Sequence, residues 1–353
     1  MSILFAILIF SFLIFVHELG HFAAAKLSGV QVNEFSMFMG PAIFKKQIGE
    51  TLYSIRCIPM GGYCAMEGED EDTDNPRSFQ KAAWWKRLII LLAGAAMNFI
   101  AGLVLFLVVY APMEAYVIPQ ISFFEEGCVL QSESGLQTGD VILEVDGNRV
   151  FVASDFSTIL SLNPGDVHDL VVERNGEQVV LNDFNMVKAE FPNEDGTTSL
   201  RFGFSFSTKE AAFGDKLRYV WDVAMSNVQM VKLSLQMLLS GQAGLKDLGG
   251  PVMIVDQMAQ VAQSSPTRLD ALLNMLYFGA FLGINLAVMN LLPIPALDGG
   301  RAVCLLITAA VEGITHKKLN PKYEGYLHAA GMVLLLGLMA VIMFKDLFVI
   351  FKR

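Results

Sequence analysis

Charge is scarce in this sequence. Only 17% of its 353 residues are Asp, Glu, Lys or Arg, against 54% apolar, whereas a soluble domain is about 25% charged. Several nearly charge-free runs reach membrane-spanning length, more than one soluble core absorbs. That argues against a soluble cytosolic enzyme and against a disordered chain. Cysteine is sparse as well. Cys57, Cys64, Cys128 and Cys304 lie in unlike surroundings without a Cys-x-x-Cys spacing, so neither a disulfide framework nor a cysteine metal site is expected. A clustered basic patch is missing too, and no nucleic-acid partner is expected.

The charge that is present is unevenly placed. Residues 113–215 carry 18 acidic and 5 basic residues, while the rest of the chain carries 17 acidic and 20 basic. An acidic block is thus joined to weakly basic apolar segments. A smaller acidic cluster, Glu67, Glu69, Asp70, Glu71, Asp72 and Asp74, reads as a solvated loop.

Four stretches are long enough to span a bilayer, residues 3–25, 88–112, 271–292 and 327–351, since a spanning helix needs about 20 apolar residues. Trp84, Trp85, Lys86 and Arg87 precede the second as an aromatic and cationic interfacial anchor. The first has no basic residue before its apolar run, and Lys26 follows it, which predicts a retained helix rather than a signal peptide. Residues 26–87 hold eight bases. By the positive-inside rule that loop is cytoplasmic, and the amino terminus and residues 113–270 lie outside. Arg301, Lys317, Lys318 and Lys322 agree with this orientation, whereas the terminal Lys352-Arg353 opposes it.

Within the insert, Val141-Ile142-Leu143-Glu144-Val145 followed by Asp146-Gly147 predicts a strand entering a hairpin. Residues 212–239 repeat apolar positions at helical spacing. They predict an amphipathic helix lying along the membrane or against the insert, or equally one more core helix of a soluble domain.

The chemistry concentrates in His17-Glu18-Leu19-Gly20-His21, near the end of the first apolar run. At 3.6 residues per turn, His17 and His21 project from one face and reach one ion. Glu18 between them meets a metal-bound water, as in zinc proteases. Ionisable residues inside a spanning helix cost about 2.5–3.5 kcal/mol each on insertion scales and are functional candidates. Two histidines and a water leave a tetrahedral zinc one protein ligand short. His168 lies in the external insert, His316 in a basic loop, and His328 at the start of the fourth helix as an anchor. The better third ligand is Asp298, in Asn290-Leu291-Leu292-Pro293-Ile294-Pro295-Ala296-Leu297-Asp298-Gly299-Gly300. Two prolines break the helix there, and such backbone is tolerated at membrane depth only when protein or a cavity surrounds it. In a four-span serpentine the first and third helices run the same way, so both motifs fall at the same inner depth.

These two motifs resemble the intramembrane zinc metalloproteases of the site-2 protease family, peptidase family M50, and within it the bacterial regulator of sigma-E protease group. Asn33-Glu34-Phe35-Ser36, Gly40-Pro41, Pro59-Met60-Gly61-Gly62-Tyr63 and Gly68-Glu69 resemble its membrane-associated β-hairpin region. Phe79, Trp85-Lys86-Arg87, Ala93-Gly94 and Asn98 resemble the start of its second helix. Gly135-Leu136 and Gly139-Asp140 resemble its PDZ domain, and Gly249-Gly250-Pro251 its stretch before the third helix. The chain departs from the pattern at Ala95, where proline is frequent, and at Cys64, where valine is usual; one PDZ-like unit is visible where some relatives have two.

The resemblance implies an α-helical polytopic membrane protein with four transmembrane helices, a membrane-associated β-hairpin region and an inserted PDZ-like β-rich extracytoplasmic domain. The expected segments are helix 1 at 1–27, the hairpin region and acidic loop at 28–87, helix 2 at 88–112 and the PDZ-like domain at 113–210. Amphipathic helices at 211–270, helix 3 at 271–300, a cytoplasmic loop at 301–326 and helix 4 at 327–351 complete the chain. It implies cleavage of single-span membrane proteins, anti-sigma factors or remnant signal peptides, in the bacterial inner membrane, with the active site near the cytoplasmic side.

The expected mechanism has His17, His21 and Asp298 hold Zn2+ while Glu18 takes the proton from the attacking water and delivers it to the leaving amine. Asn290, with Asn98, is the candidate for substrate binding. The exposed strand edge of residues 30–66 is suited to pair with an unwound substrate, or to plug the membrane face. The PDZ-like insert is expected to bind a peptide carboxyl terminus or to act as a size filter. The rivals are a catalytically silent PDZ scaffold and a metal transporter. The full set of His17, Glu18, His21 and Asp298 argues against the first, and a single polar cluster at one depth against the second.

Overall fold

In hydrocarbon an apolar run satisfies its own backbone only as a helix, and each of the four long apolar runs of this chain forms a helix over most of its length. The computed structural model describes residues 2–69, 73–163, 165–193, 195, 197–244, 250–315 and 322–351. In chain order, α1 (Ser2–Ser28) leads into a hairpin, β1 (Val32–Ile48) and β2 (Thr51–Met66), then α2 (Trp84–Tyr110). The insert contains β3 (Ala115–Phe124), β4 (Val141–Val145), β5 (Asn148–Arg149), α3 (Ala153–Leu162), β6 (Val167–Arg174) and β7 (Glu177–Asn185). It closes with β8 (Ala189–Pro192), β9 (Thr198–Arg201) and β10 (Phe204–Glu210). Five helices follow: α4 (Phe213–Ser240), α5 (Pro251–Ser264), α6 (Arg268–Asn290), α7 (Asp298–Thr315) and α8 (Lys322–Phe351). Four segments among the described residues are long and apolar enough to cross a membrane, Phe5–Ser28, Trp84–Tyr110, Arg268–Asn290 and Gly325–Asp346. The chain is a membrane protein with a β-rich region.

It divides into two compact units, Tyr110–Gln229 and the remainder, Met1–Val109 with Met230–Arg353. In the larger unit one buried cluster joins Ala24 and Ala25 of α1, Val32, Phe35, Cys64 and Met66 of the hairpin, Ile90 and Leu91 of α2, and Ala302 and Leu305 of α7. A second joins Ala6, Ile9 and Leu13 of α1 to Met258 of α5 and Leu282 of α6. The first half of α1 is therefore packed by α5 and α6, and its last turns by the hairpin and α7.

In the smaller unit the strands form an antiparallel sheet of order β10-β3-β4-β6-β7, with β5 on β4 and a separate β8-β9 pair. Asp146 and Gly147 join β4 to β5 with φ of +50° and +70°, the paired positive values of a two-residue hairpin turn. Leu136, Ile142, Val145, Ile159, Leu170 and Val172 form its buried core. Asp140 is buried under Arg174, whose Nε donates to Oδ1 and whose Nη2 donates to Oδ2, each at 2.8 Å. The same Nη2 donates to the Gly135 carbonyl at 2.6 Å, which ties the Gly135–Asp140 turn to β6.

Several boundaries differ from those read in the sequence, α2 starting at Trp84 and α8 at Lys322 among them. The third spanning helix ends at Asn290 rather than running to 300, and residues expected in a loop from 301 belong to α7, which runs to Thr315. Pro293 and Pro295 lack the amide donors that would continue α6. Asp298 then opens a new helix, in the first-turn position where a carboxylate complements the helix dipole. Asp70, Glu71 and Asp72 of the acidic cluster, Gly249, His316, Lys317, Lys318, Lys352 and Arg353 lie outside the described residues.

Candidate metal centre

Position i and i+4 spacing on α1 brings the two imidazoles together, with ring centroids 4.7 Å apart and planes at 85°. Their Nε2 atoms are 3.2 Å apart. The α6–α7 break delivers Asp298 to the same point: its Oδ2 lies 3.1 Å from Nε2 of His17 and 3.4 Å from Nε2 of His21. His17, His21 and Asp298 are the group of potential metal ligands found among the described residues.

The donor set fits a tetrahedral zinc ion. Bond lengths of about 2.0–2.1 Å to nitrogen and oxygen imply edges of about 3.3–3.4 Å between ligand atoms, close to the three separations observed. The Asp298 Oδ2 atom is buried with no hydrogen-bond partner among the described residues, and a buried carboxylate oxygen left so is costly unless a cation meets it.

The orientation of the His21 imidazole agrees. Nδ1 of His21 lies 2.8 Å from the Ile90 carbonyl oxygen. A carbonyl only accepts, so Nδ1 carries the proton and the Nε2 lone pair faces the centre. Nδ1 of His17 faces the amide nitrogens of Asn98 at 3.4 Å and Asn290 at 3.5 Å. Thus both asparagines singled out in the sequence stand beside His17. Asn98 is fully buried, while Asn290 is half-buried.

Gly94 of α2 makes room for the pair. A Cβ at this position would lie 2.4 Å from Nε2 of His21 and 2.7 Å from Cε1 of His17. Glu18 occupies the next position of α1 after His17 and packs beside the hairpin, its Cγ 3.4 Å from where a Gly62 Cβ would be. With side chains of His17, His21 and Asp298 at 14%, 10% and 19% exposure, the centre is shielded but not sealed from solvent.

Three contributors lie outside the ligand and catalytic set read from the sequence: the Ile90 carbonyl, the Gly94 hydrogen and His328. Nδ1 of His328 accepts the Ala296 amide at 3.0 Å, so this histidine reaches the metal-ligand loop rather than serving as a simple interfacial anchor. A backbone carbonyl carries no sequence signal, and Gly94 is visible only as part of an Ala-Gly pair.

Two histidines one turn apart on a spanning helix, an intervening glutamate and a carboxylate from a broken helix define a membrane-embedded metallohydrolase. The chain belongs to peptidase family M50, whose profile matches residues 5–338. It is 35% identical to a predicted zinc metalloprotease of Clostridium perfringens over 98% of each chain. A predicted zinc metalloprotease of Fusobacterium nucleatum is 32% identical over the full length of both. The zinc metalloprotease RasP of Oceanobacillus iheyensis is 29% identical over 97% of each.

Proposed function

We propose that this chain is a zinc-dependent endopeptidase that cuts membrane proteins within their spanning segments, with Glu18 as its proton carrier. The observation that carries the reading is the convergence of His17, His21 and Asp298 within 3.1–3.4 Å of one another, on spanning and broken helices. Zinc held there supplies Lewis acidity, polarising the scissile carbonyl and acidifying water at neutral pH. The Glu18 carboxylate takes a proton from the attacking water, and the oxygen bonds to the carbonyl carbon. The same carboxylate then returns the proton to the amide nitrogen as the carbon–nitrogen bond breaks. Asn98 is too deeply buried to reach a substrate and holds the His17 ring instead. Asn290, partly accessible, is the group that meets the substrate.

Substrates are single-span membrane proteins, of the anti-sigma factor or remnant signal-peptide kind. A peptide bond inside a helix is shielded by its own hydrogen bonds, so the substrate is unwound before cutting, and the edge of the β1-β2 hairpin is the surface for it to pair with. The insert is a PDZ-like domain on the extracytoplasmic side of the bacterial inner membrane, and the metal centre lies toward the cytoplasm. The eight bases of residues 26–87 support that orientation. The scaffold and transporter readings have no support from the family.

The test is cleavage of a single-span substrate in proteoliposomes. Wild-type protein cuts within the span, and chelation of zinc stops it. Glu18→Gln retains zinc and loses cleavage by at least about 100-fold, the lower end of what a positioned acid–base group contributes. Undiminished cleavage by Glu18→Gln contradicts the assignment.

A further inference from the structure

The loop that carries Asp298 is clamped by the last helix. Between α6 and α7 the chain passes through Pro293 and Pro295, and Ala296 adopts φ of +79°, left-handed backbone that an L side chain keeps only where its surroundings hold it. The amide of Ala296 donates to Nδ1 of His328 on α8, 3.0 Å away. Three residues further along α8, Gly331 abuts the same loop: a Cβ there would stand 2.5 Å from Pro295 Cβ and 2.7 Å from its carbonyl oxygen. On α7, a Cβ at Gly300 would stand 2.2 Å from the Ile294 carbonyl oxygen. Residues 294–296 therefore pack against the first turn of α7 and one turn of α8, ending two positions before the Asp298 carboxylate.

We propose that His328 is a positioning residue of this enzyme: its Nδ1, by accepting the Ala296 amide, fixes the loop conformation that aims Asp298 at His17 and His21. It touches neither substrate nor metal and acts through the backbone of residues 296–298. Accepting at Nδ1 requires a ring that carries its proton on Nε2. The inference rests on the zinc reading of His17, His21 and Asp298.

The substitutions that test it follow from acceptor placement. Asparagine offers Oδ1 where the imidazole has Nδ1, glutamine offers Oε1 near the Nε2 position, and leucine offers no acceptor. The readouts are zinc affinity of the purified full chain by chelator competition, and the visible spectrum of the cobalt-substituted protein. His328→Leu and His328→Gln weaken zinc binding by about 10- to 100-fold, as loss of a ligand's supporting contact does, and change the cobalt bands. His328→Asn restores most of the affinity and the native bands. Gly331→Ala, which pushes on Pro295 and leaves His328 in place, weakens zinc binding as well. Unchanged affinity and spectrum in His328→Leu overturn the proposal, as do equal affinities of the asparagine and glutamine variants, which decide the matter should the leucine variant not fold. Wild-type protein that binds no zinc overturns the metal centre and this proposal together; tight wild-type binding with unaffected variants overturns this proposal alone.

Discussion

At position 94 the side chain is a hydrogen atom because two imidazoles occupy the space where a methyl group would go. Gly94→Ala is accordingly expected to keep the fold, since alanine favours a helix over glycine by about 1 kcal/mol. It displaces His21 and empties the centre. Zinc content falls well below one per chain while circular dichroism is unchanged; a stoichiometric zinc content in the alanine variant contradicts this. Residues of this kind mark how far the sequence is readable. His17, Glu18 and His21 stand out because three ionisable groups in an apolar run are expensive, and Asp298 because two prolines and two glycines surround it. Gly94 and the Ile90 carbonyl do not stand out, because one acts by absence and the other is backbone.

Among the elements, the spanning helices are legible because length and apolarity leave the backbone one solution. The start of α7 is not. Nothing in Asp298-Gly299-Gly300 signals a helix start, and glycine is required there because Gly299 and Gly300 pack where any Cβ would strike the Leu291 and Ile294 carbonyl groups. Strand β4 coincides with its expected span of Val141–Val145, since a short alternating run before Asp-Gly has few other uses.

In the hairpin, burial raises the Glu34 carboxyl, but hydrogen bonds from Ser54 at 2.6 Å and Arg56 at 2.8 Å outweigh it and leave the group below its usual range. The folded hairpin thus favours the ionised form. Its contribution is present at neutral pH and is lost as pH falls below about 4.3, the unfolded value, towards the lowered native one. The protection of β1 and β2 amides, measured as exchange relative to the intrinsic rate at each pH, should fall over that window, and Glu34→Gln should flatten the dependence; protection that ignores pH in the wild type would contradict it. In the insert, Arg174→Met strands the buried Asp140 carboxylate, and loss of one partner of a buried pair costs about 3–5 kcal/mol. Hydrogen exchange over residues 135–174 should rise sharply, and native protection in the variant would show that the pair contributes little.

For the molecule as a whole, every proposed ligand lies in the unit built from Met1–Val109 and Met230–Arg353. Excision of residues 113–215 is therefore expected to leave one zinc per chain by metal analysis, whereas loss of the metal would make the insert part of the centre. The same truncated protein separates the two uses of the insert. Cleavage of substrates that retain their external domains identifies a size filter, and their continued resistance counts against one. The weakly basic hydrophobic segments and the acidic insert were separable in the sequence by composition alone. The packing of α5 against α1 was not, because an amphipathic helix is equally at home on a bilayer or on a neighbouring helix.

Zinc binding requires side chains from α1 and from the α6–α7 break to meet on one ion. X-ray absorption at the zinc edge of the purified full chain tests this most directly. The expected spectrum is a single shell of nitrogen and oxygen at about 2.0–2.1 Å with the outer scattering of two imidazoles. A sulfur shell near about 2.3 Å, or the signature of fewer than two imidazoles, would contradict it.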